Sequence, residues 1–154
     1  MTTWINFPEN PEDYVGFVYL IENIHPDVLN EDASNHPKRF YIGKKQLLRK
    51  VKMPANGSRK RPKTVWKDNG AEDYYGSSRG LLEAIERYGK EYFTRTVIEC
   101  CTSKFHMSYA EICWQIECNA LMDPSFYNGV LNCRISKAPK GFVDIERKRI
   151  NIGL

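Results

Sequence analysis

Two short runs with the composition of β-strands place the strongest constraint on how this chain can fold. The first, Tyr14 to Ile21, is an almost unbroken run of apolar and β-branched residues. Such a run suits a strand buried on both faces better than an edge strand. The second run is Arg39 to Lys45. Its Phe40 and Ile42 project to one face and Tyr41 to the other, because side chains alternate along a strand. We therefore predict that the first run is the central strand of a sheet and that Tyr41 shares its face with cations instead of the core.

The rest of the chain predicts two helices and a third strand. One helix begins at Ser77 or Ser78, which are good N-cap residues, and ends at Gly89. Tyr92 to Cys101 is rich in β-branched and aromatic residues and predicts a strand. Met107 to Leu121 has helical spacing and strong apolar content. The expected class is therefore a small mixed α/β protein.

Length and composition indicate one ordinary soluble domain. The chain has 154 residues, of which 42% are hydrophobic and 27% charged, enough for one modest core. No apolar run approaches the roughly 18 residues that a membrane span needs, and the N-terminus lacks the pattern of a secretory signal. We expect a cytoplasmic protein whose 5 cysteines are reduced and mostly buried thiols. Four residues suggest zinc, but their spacing matches no common zinc site: Cys101, His106, Cys113 and Cys118.

The cations are unevenly distributed. The net charge is only +4, yet about half of the 23 lysines and arginines lie between Lys38 and Lys67, where no acidic residue occurs. Such a block repels itself unless anions bind, and phosphodiester backbones are suitable anions because their binding releases counterions. A solvated loop that only aids solubility is the alternative. Residues 44–73 have little apolar periodicity and predict a basic excursion with one helical turn at 46–51.

Several short motifs occur in the order found in one nuclease superfamily. Together they span roughly residues 14–134, and the chain resembles the GIY-YIG nucleases, in particular the small phage-encoded homing endonucleases similar to Seg proteins. No single motif is specific, but their order is. The matching motifs are Phe17-Val18-Tyr19, Tyr41-Ile42-Gly43, Trp66-Lys67, Tyr74-Tyr75-Gly76-Ser77-Ser78, Tyr88-Gly89-Lys90-Glu91-Tyr92-Phe93, Glu111 three residues before Trp114, and Tyr127-Asn128.

The resemblance implies a three-stranded antiparallel sheet flanked by helices, and hydrolysis of DNA phosphodiester bonds with one divalent metal ion. It implies that Glu111 holds Mg²⁺ or Mn²⁺ on a helix, which suits a hard cation that keeps most of its waters. Tyr41 is the candidate base or proton relay, because Lys44 and Lys45 beside it are expected to favour the phenolate. Tyr19 is expected to orient the attacking water or to donate to the scissile phosphate.

The chain departs from the family pattern at the arginine that faces the phosphate. In familiar homing members this arginine lies about ten residues past the second motif's tyrosine, where this chain has Val51. Arg49 is the nearest substitute, followed by Arg61 and Arg59. The histidines that some members have further along the chain are also absent, and Tyr74 or Tyr75 is expected to replace one of them. Asn128 is either a turn residue or support for the active site.

Three segments follow from these assignments: an N-terminal arm at 1–13, a nuclease domain at 14–135 that contains the basic excursion, and a basic tail at 136–154. The expected partner is double-stranded DNA, and the expected state is a monomer or weak dimer. The alternatives are a DNA-binding module without catalysis and a structure-specific repair or recombination nuclease. The residues expected to bind DNA are Lys44, Lys45, Arg59, Lys60, Arg61, Lys63 and Tyr75.

Overall fold

A three-stranded antiparallel sheet organises the fold. The computed structural model describes residues 3–30, 37–58, 60–131 and 134–154. These residues form five strands: β1 (Gly16–Asn23), β2 (Phe40–Gln46), β3 (Leu48–Met53), β4 (Lys63–Asp68) and β5 (Phe93–Cys101). The sheet has the order β2-β1-β5, and β3 and β4 form a separate two-stranded ribbon. The helices are α1 (Pro26–Leu29), α2 (Arg79–Tyr88) and α3 (Lys104–Glu117), with 3₁₀ turns at Pro11–Asp13, Lys90–Tyr92 and Arg149–Ile152.

The central position predicted for the first strand is confirmed. Phe17, Tyr19 and Ile21 of β1 pack into a core with α2, and the alternate residues Val18 and Leu20 pack into a second core beneath α3. All five side chains are almost fully buried. Helices therefore flank the sheet on both faces, in agreement with the arrangement that the family resemblance implies.

Helix α2 has the boundaries that its capping residues predict. The Ser78 hydroxyl accepts from the Leu81 N–H at 3.4 Å, and the helix ends before Gly89, which has φ 100°. Helix α3 begins three residues before Met107, because the Ser103 hydroxyl caps it by accepting from the His106 N–H at 3.0 Å. It ends at Glu117, four residues before Leu121.

The helical turn predicted at residues 46–51 is wrong. Only Leu47 separates β2 from β3, and its N–H donates to the Val15 carbonyl at 2.9 Å. The chain then continues as β3, which pairs with β4 in antiparallel register from Leu48 opposite Asp68 to Met53 opposite Lys63. The two strands have few apolar residues, which is why the sequence did not predict them. Val51 of β3 lies opposite Val65 of β4 across the ribbon.

The outer edge of β2 is partly covered by the segment that follows α3. The N–H groups of Arg39 and Phe40 donate to the Ser125 carbonyl at 2.6 and 2.9 Å. The Tyr127 N–H then donates to the Phe40 carbonyl at 2.7 Å. Among the described residues, this backbone pairing stops at Tyr127.

Both ends of the described chain contact the sheet. Trp4 is buried beside Phe17, and Ile5 pairs with Thr96 of β5. Near the C-terminus, the Arg147 guanidinium donates to both carboxylate oxygens of Glu99, from Nε at 2.7 Å and from Nη2 at 2.9 Å. The proposed divisions of the chain near residues 13 and 136 stay predictions.

The thiols of Cys100, Cys101, Cys113 and Cys118 are free, and Cys101 and Cys118 are buried. Cys133 lies outside the described residues. None of the helices that the structure describes has the length and apolar content needed to span a membrane.

Candidate active site

A cleft of about 340 Å³ opens beside the edge of β2, where the covering segment ends. We call it the β2 cleft. Residues from both sides of the sheet meet there. Tyr19 and Tyr41 lie on the face that packs against α2, whereas Glu111 comes from α3, which covers the other face. The cleft is lined by Tyr19, Tyr41, Lys44, Tyr74, Ser77, Glu111, Gln115, Asn128 and Val130. Four of the five residues predicted for catalysis are among them, and Arg49 is not.

Glycine makes room for the two phenols. The ring centroids of Tyr19 and Tyr41 are 6.1 Å apart. Gly43 lies opposite Tyr19 in the β1–β2 register, and a Cβ there would lie 2.7 Å from Tyr19 Cζ and 2.8 Å from Tyr41 Cε1. Any larger residue at position 43 must therefore displace the rings. On the other side of β1, the pairing with β5 shifts register between Val18 and Tyr19, and such bulges commonly re-aim a side chain.

The Tyr19 hydroxyl is buried beside the phenols of Tyr41 and Tyr74, and none of the described residues forms a hydrogen bond of normal geometry with it. Burial, followed by the neighbouring phenols of Tyr41 and Tyr74, raises its pKa well above the ordinary value. A buried hydroxyl without a partner is costly. In an open polar cleft, it is suited to a bond with a bound substrate.

The prediction that cations favour the Tyr41 phenolate is wrong. Burial is the largest influence and raises the pKa of Tyr41, although contact with Ser77 partly offsets it. The expectation that Tyr41 lies apart from the core is also wrong, because its half-buried ring packs against the core that contains Tyr19. Both phenols are therefore neutral near pH 7.

Glu111 is the carboxylate of the β2 cleft. Its side chain is only 15% exposed, and its Oε1 lies 3.5 Å from the Lys44 Nζ. Burial raises the pKa of Glu111, while Lys44 opposes that shift. Lys44 Nζ also lies 3.0 Å from the Ser108 Oγ, one helical turn before Glu111. Lys44, expected to contact DNA, is thus the cation that the described lining of the cleft provides.

Asn128 has a structural task that the sequence left open. Its Oδ1 accepts from the Ile42 N–H at 3.0 Å, and its Nδ2 donates to the Ile42 carbonyl at 2.7 Å. The Ile42 carbonyl also accepts from Gln115 Nε2 at 3.1 Å. The side chain of Asn128 therefore continues the pairing along β2 after the backbone contacts end, and it fixes the strand between Tyr41 and Gly43.

Gln115 and Ser77 are site residues that sequence analysis missed. Gln115 was detectable, because it follows Glu111 by four positions and residues at that spacing share one face of a helix. Ser77 was named only as a possible helix cap and as part of a family motif, with no role in the site, and the cap is Ser78. Between the two tyrosines considered as histidine replacements, Tyr74 lines the cleft and Tyr75 does not.

The remaining predicted residues lie away from the cleft lining. Arg49 is exposed on β3, opposite Lys67. The Lys45 Nζ lies 4.1 Å from the Tyr74 ring centroid, and burial lowers its pKa. Tyr75 stacks on the guanidinium of Arg95, with Cζ 4.1 Å from its ring centroid. Lys60 and Arg61 are exposed between β3 and β4, and Lys63 is exposed at the first position of β4. Arg59 lies outside the described residues.

A second group of metal-ligand types lies beneath α3, where atoms of Glu99, Cys101 and His106 are within 4.8 Å of one another. The Glu99 carboxylate already accepts from Arg147, from Trp114 Nε1 at 2.9 Å and pairs with His106 at 2.7 Å. Burial raises the pKa of Cys101 to about 12, which keeps the thiol protonated. This group therefore fits an internal hydrogen-bond network better than a metal site.

Comparison with protein families decides the identity of the domain. Residues 2–131 match the family model described as "Putative endonuclease segE, GIY-YIG domain". The chain belongs to the SegE GIY-YIG family. The fold agrees, and the membership makes the protein a nuclease domain, an endonuclease of the phosphodiester hydrolase class. Nucleases with a GIY-YIG domain generally depend on a divalent metal ion. Comparisons with curated proteins and with solved structures give no match.

Proposed function

We propose that this chain is a divalent-metal-dependent endonuclease that cuts double-stranded DNA in the β2 cleft. The observation that carries the proposal is the meeting of Tyr19, Tyr41 and Glu111 around one cleft, although they lie far apart in the sequence. Chance does not readily account for two phenols and a buried acid that meet in one cleft and also occupy the positions of the family motifs. The resemblance to phage Seg proteins supports a homing-type enzyme that acts in the host cytoplasm.

The residues of the β2 cleft fit one hard divalent cation. Glu111 supplies a carboxylate, and Mg²⁺ is commonly held by one or two carboxylates with several waters and phosphate oxygens. A cleft of about 340 Å³ has room for such a hydrated ion beside a phosphate group. When bound, the metal polarises the phosphate and stabilises the charge that develops in hydrolysis.

The two tyrosines act as neutral phenols. Because burial raises the pKa of both, we infer that Tyr41 is a proton relay instead of a preformed phenolate base. As the water oxygen bonds to phosphorus, the Tyr41 oxygen accepts the proton of that water. The Tyr41 proton passes, by way of solvent water, to the DNA oxygen that departs as its own bond to phosphorus breaks. The unpartnered hydroxyl of Tyr19 donates a hydrogen bond to a phosphate oxygen, an interaction that stabilises the transition state if it strengthens as charge develops.

Lys44 orients the acid and adds positive charge. Its ammonium contacts Oε1 of Glu111 and the hydroxyl of Ser108, so it limits the positions that the carboxylate can take. Asn128 holds β2 and thereby places Tyr41. The arginine expected on the phosphate is assigned to the basic segment beyond β2, with Arg49 as its first candidate, Arg61 as its second and Arg59 as its third.

A DNA-binding module without catalysis is the second candidate. It is favoured by one observation: the described residues that line the β2 cleft include no arginine. An endonuclease that lacks a guanidinium opposite the phosphate loses a bidentate donor that stabilises charge.

Incubation of supercoiled plasmid with the protein and Mg²⁺ separates the two candidates. We expect wild type to produce nicked or linear DNA, and the Glu111→Ala variant to produce none while it still shifts the DNA on a gel. If neither protein cuts the plasmid and both still bind DNA, the binding module is favoured. Equal cutting by both proteins places the chemistry outside the β2 cleft.

A further inference from the structure

The ribbon of β3 and β4 projects from the fold and joins neither core. Leu47, directly before β3, and Ala71, three residues after the end of β4, are buried in the core. None of the described residues of the ribbon itself contributes to either core cluster. Isolated two-stranded ribbons are only marginally stable in water. This one also places Arg49 directly opposite Lys67, an arrangement of like charges that destabilises a strand pair. The ribbon is therefore suited to binding a polyanion.

The two faces of the ribbon differ in charge. One face carries the pairs Arg49–Lys67, Val51–Val65 and Met53–Lys63, as the antiparallel register requires. We call it the cationic face, since it holds three cations and no acid. The opposite face pairs Leu48 with Asp68, Lys50 with Trp66 and Lys52 with Thr64.

That opposite face is turned towards acidic residues of the N-terminal segment. Leu48 and Trp66 line a cleft together with Glu12 and Asp13. The Lys50 ammonium is engaged on its own face, 5.0 Å from the Trp66 ring centroid. Glu12, Asp13 and Asp68 offset the charges of Lys50 and Lys52 on this side. A phosphate backbone is therefore attracted more strongly to the cationic face, which has no acid.

We propose that the ribbon lies in the major groove of the substrate duplex, with its cationic face against the DNA and within one helical turn of the cut. The inference rests on the proposed function and adds the location and orientation of the DNA contact. The major groove is about 12 Å wide and admits a two-stranded ribbon. The paired valines at the centre of the face supply apolar contact of the kind that thymine methyl groups favour.

The length of chain between Tyr41 and the ribbon allows the ribbon to reach the groove next to the cut. The ribbon follows β2 after one residue, so its centre at Val51 lies ten positions beyond Tyr41. At about 3.3 Å per residue this separation is at most about 33 Å, which is close to one turn of DNA, about 34 Å. Because one ribbon projects from one end of β2, the contact lies on one side of the cut only.

Two charge-reversal variants test the orientation on equal terms. Lys63→Glu with Lys67→Glu changes the cationic face, and Lys50→Glu with Lys52→Glu makes the same change of charge on the opposite face. Arg49 is left unchanged because it is also the candidate for the phosphate. Binding to a 30-base-pair duplex is measured by fluorescence anisotropy without metal, between 50 and 200 mM salt.

Loss of two phosphate contacts makes the slope of log affinity against log salt shallower by about 1.8, or about 0.9 for each contact. The advantage of wild type over the first variant therefore shrinks about twelvefold across that fourfold range of salt. We expect a change of less than 1 in the slope for the second variant. Equal slope changes in both variants, or a larger change in the second, overturn the orientation. If a glutamate variant has a lowered melting temperature, the glutamine versions of both pairs replace it in the same comparison.

A modified duplex tests the groove. Bulky neutral groups on C5 of the pyrimidines fill the major groove, and we expect them to weaken wild type but not the Lys63→Glu, Lys67→Glu variant. Equal weakening of both proteins, or no weakening of wild type, overturns the groove assignment. Plasmid nicking by wild type is scored separately: if nicking fails while the slopes still differ between the faces, the nuclease proposal fails and the ribbon proposal stands.

Discussion

Replacement of Asn128 by alanine tests how the β2 cleft is held together. The substitution removes both bonds to the Ile42 backbone. The Ile42 carbonyl keeps its bond from Gln115, but the Ile42 N–H loses the partner that Asn128 provides. The result separates a residue that positions β2 from one that merely occupies a turn.

The size of the effect follows from these contacts. One lost hydrogen bond at the carbonyl costs about 1 kcal/mol, and an unsatisfied buried N–H costs about 1–3 kcal/mol. Because Asn128 borders an open cleft from which water can enter, we take the lower end, about 2 kcal/mol in total. A chain of 154 residues has an unfolding entropy of about 0.32 kcal/mol per kelvin. The melting temperature should therefore fall by about 6 °C.

Thermal unfolding followed by circular dichroism measures the shift, and plasmid nicking at 20 °C measures the effect on function. Asn151→Ala is the matched control, because Asn151 is exposed and lies in the last 3₁₀ turn, and its melting temperature should stay within about 1 °C of wild type. Nicking by Asn128→Ala should fall about tenfold or more, since a small displacement of Tyr41 misaligns the site. An unchanged melting temperature refutes the role assigned to the bonds with Ile42. A lower melting temperature with full nicking activity shows that Asn128 stabilises the fold without positioning the site.

Three further predictions concern the ion pair beneath α3 and the packing around the phenols. Arg147→Ala leaves the buried Glu99 carboxylate without its main partner and should cost about 3–5 kcal/mol, a fall of about 9–15 °C in melting temperature. The control is Arg149→Ala, which should cost less than about 1 kcal/mol because the pair of Arg149 with Asp123 is partly exposed. Equal losses of stability in the two variants contradict the assignment. Burial opposes ionisation of Glu99, but hydrogen bonds with Arg147, His106 and Trp114 outweigh burial and lower its pKa. The ionised carboxylate therefore stabilises the fold fully above its unfolded pKa of about 4.3. That contribution is lost as pH falls through the folded pKa. The difference in unfolding free energy between wild type and Glu99→Gln should therefore shrink below about pH 4.3 in urea titrations, and a difference independent of pH contradicts the account. Gly43→Ala introduces a Cβ within 2.8 Å of both phenol rings and should abolish nicking while DNA binding remains; retained nicking shows that the rings can move without loss of function.

Features that depend on local pattern were predictable. The alternation in β2 placed Tyr41 and Ile42 on opposite faces, and the apolar run of β1 placed it at the centre of the sheet. The caps of α2 were visible as Ser78 and Gly89. The side chains of Tyr19, Tyr41 and Glu111 could be brought together only through the family motifs, because no local pattern relates residues so far apart in the chain.

Other features depend on contacts that spacing does not encode. The phenolate was predicted at Tyr41 because cations follow it in sequence, but Lys44 contacts Glu111 and Lys45 lies over Tyr74. Burial then controls the pKa of the phenol. The ribbon was missed because its strands have few apolar residues and are defined by their pairing with each other.

The C-terminal segment shows the same limit. Its charge predicted a basic tail, yet Arg147 bonds to Glu99 across 48 positions of sequence. Nothing local to either residue signals that pair. Its burial is visible only once β5 and α3 are assembled.

The most direct test of the account is the position of Mn²⁺ in a crystal of the protein bound to a DNA duplex, found by anomalous scattering. The account predicts a peak about 2.1 Å from a carboxylate oxygen of Glu111, on the side of the β2 cleft that contains Tyr41 and the scissile phosphate. A peak at Glu99 and His106, or cleaved DNA in the crystal without any peak beside Glu111, would contradict it.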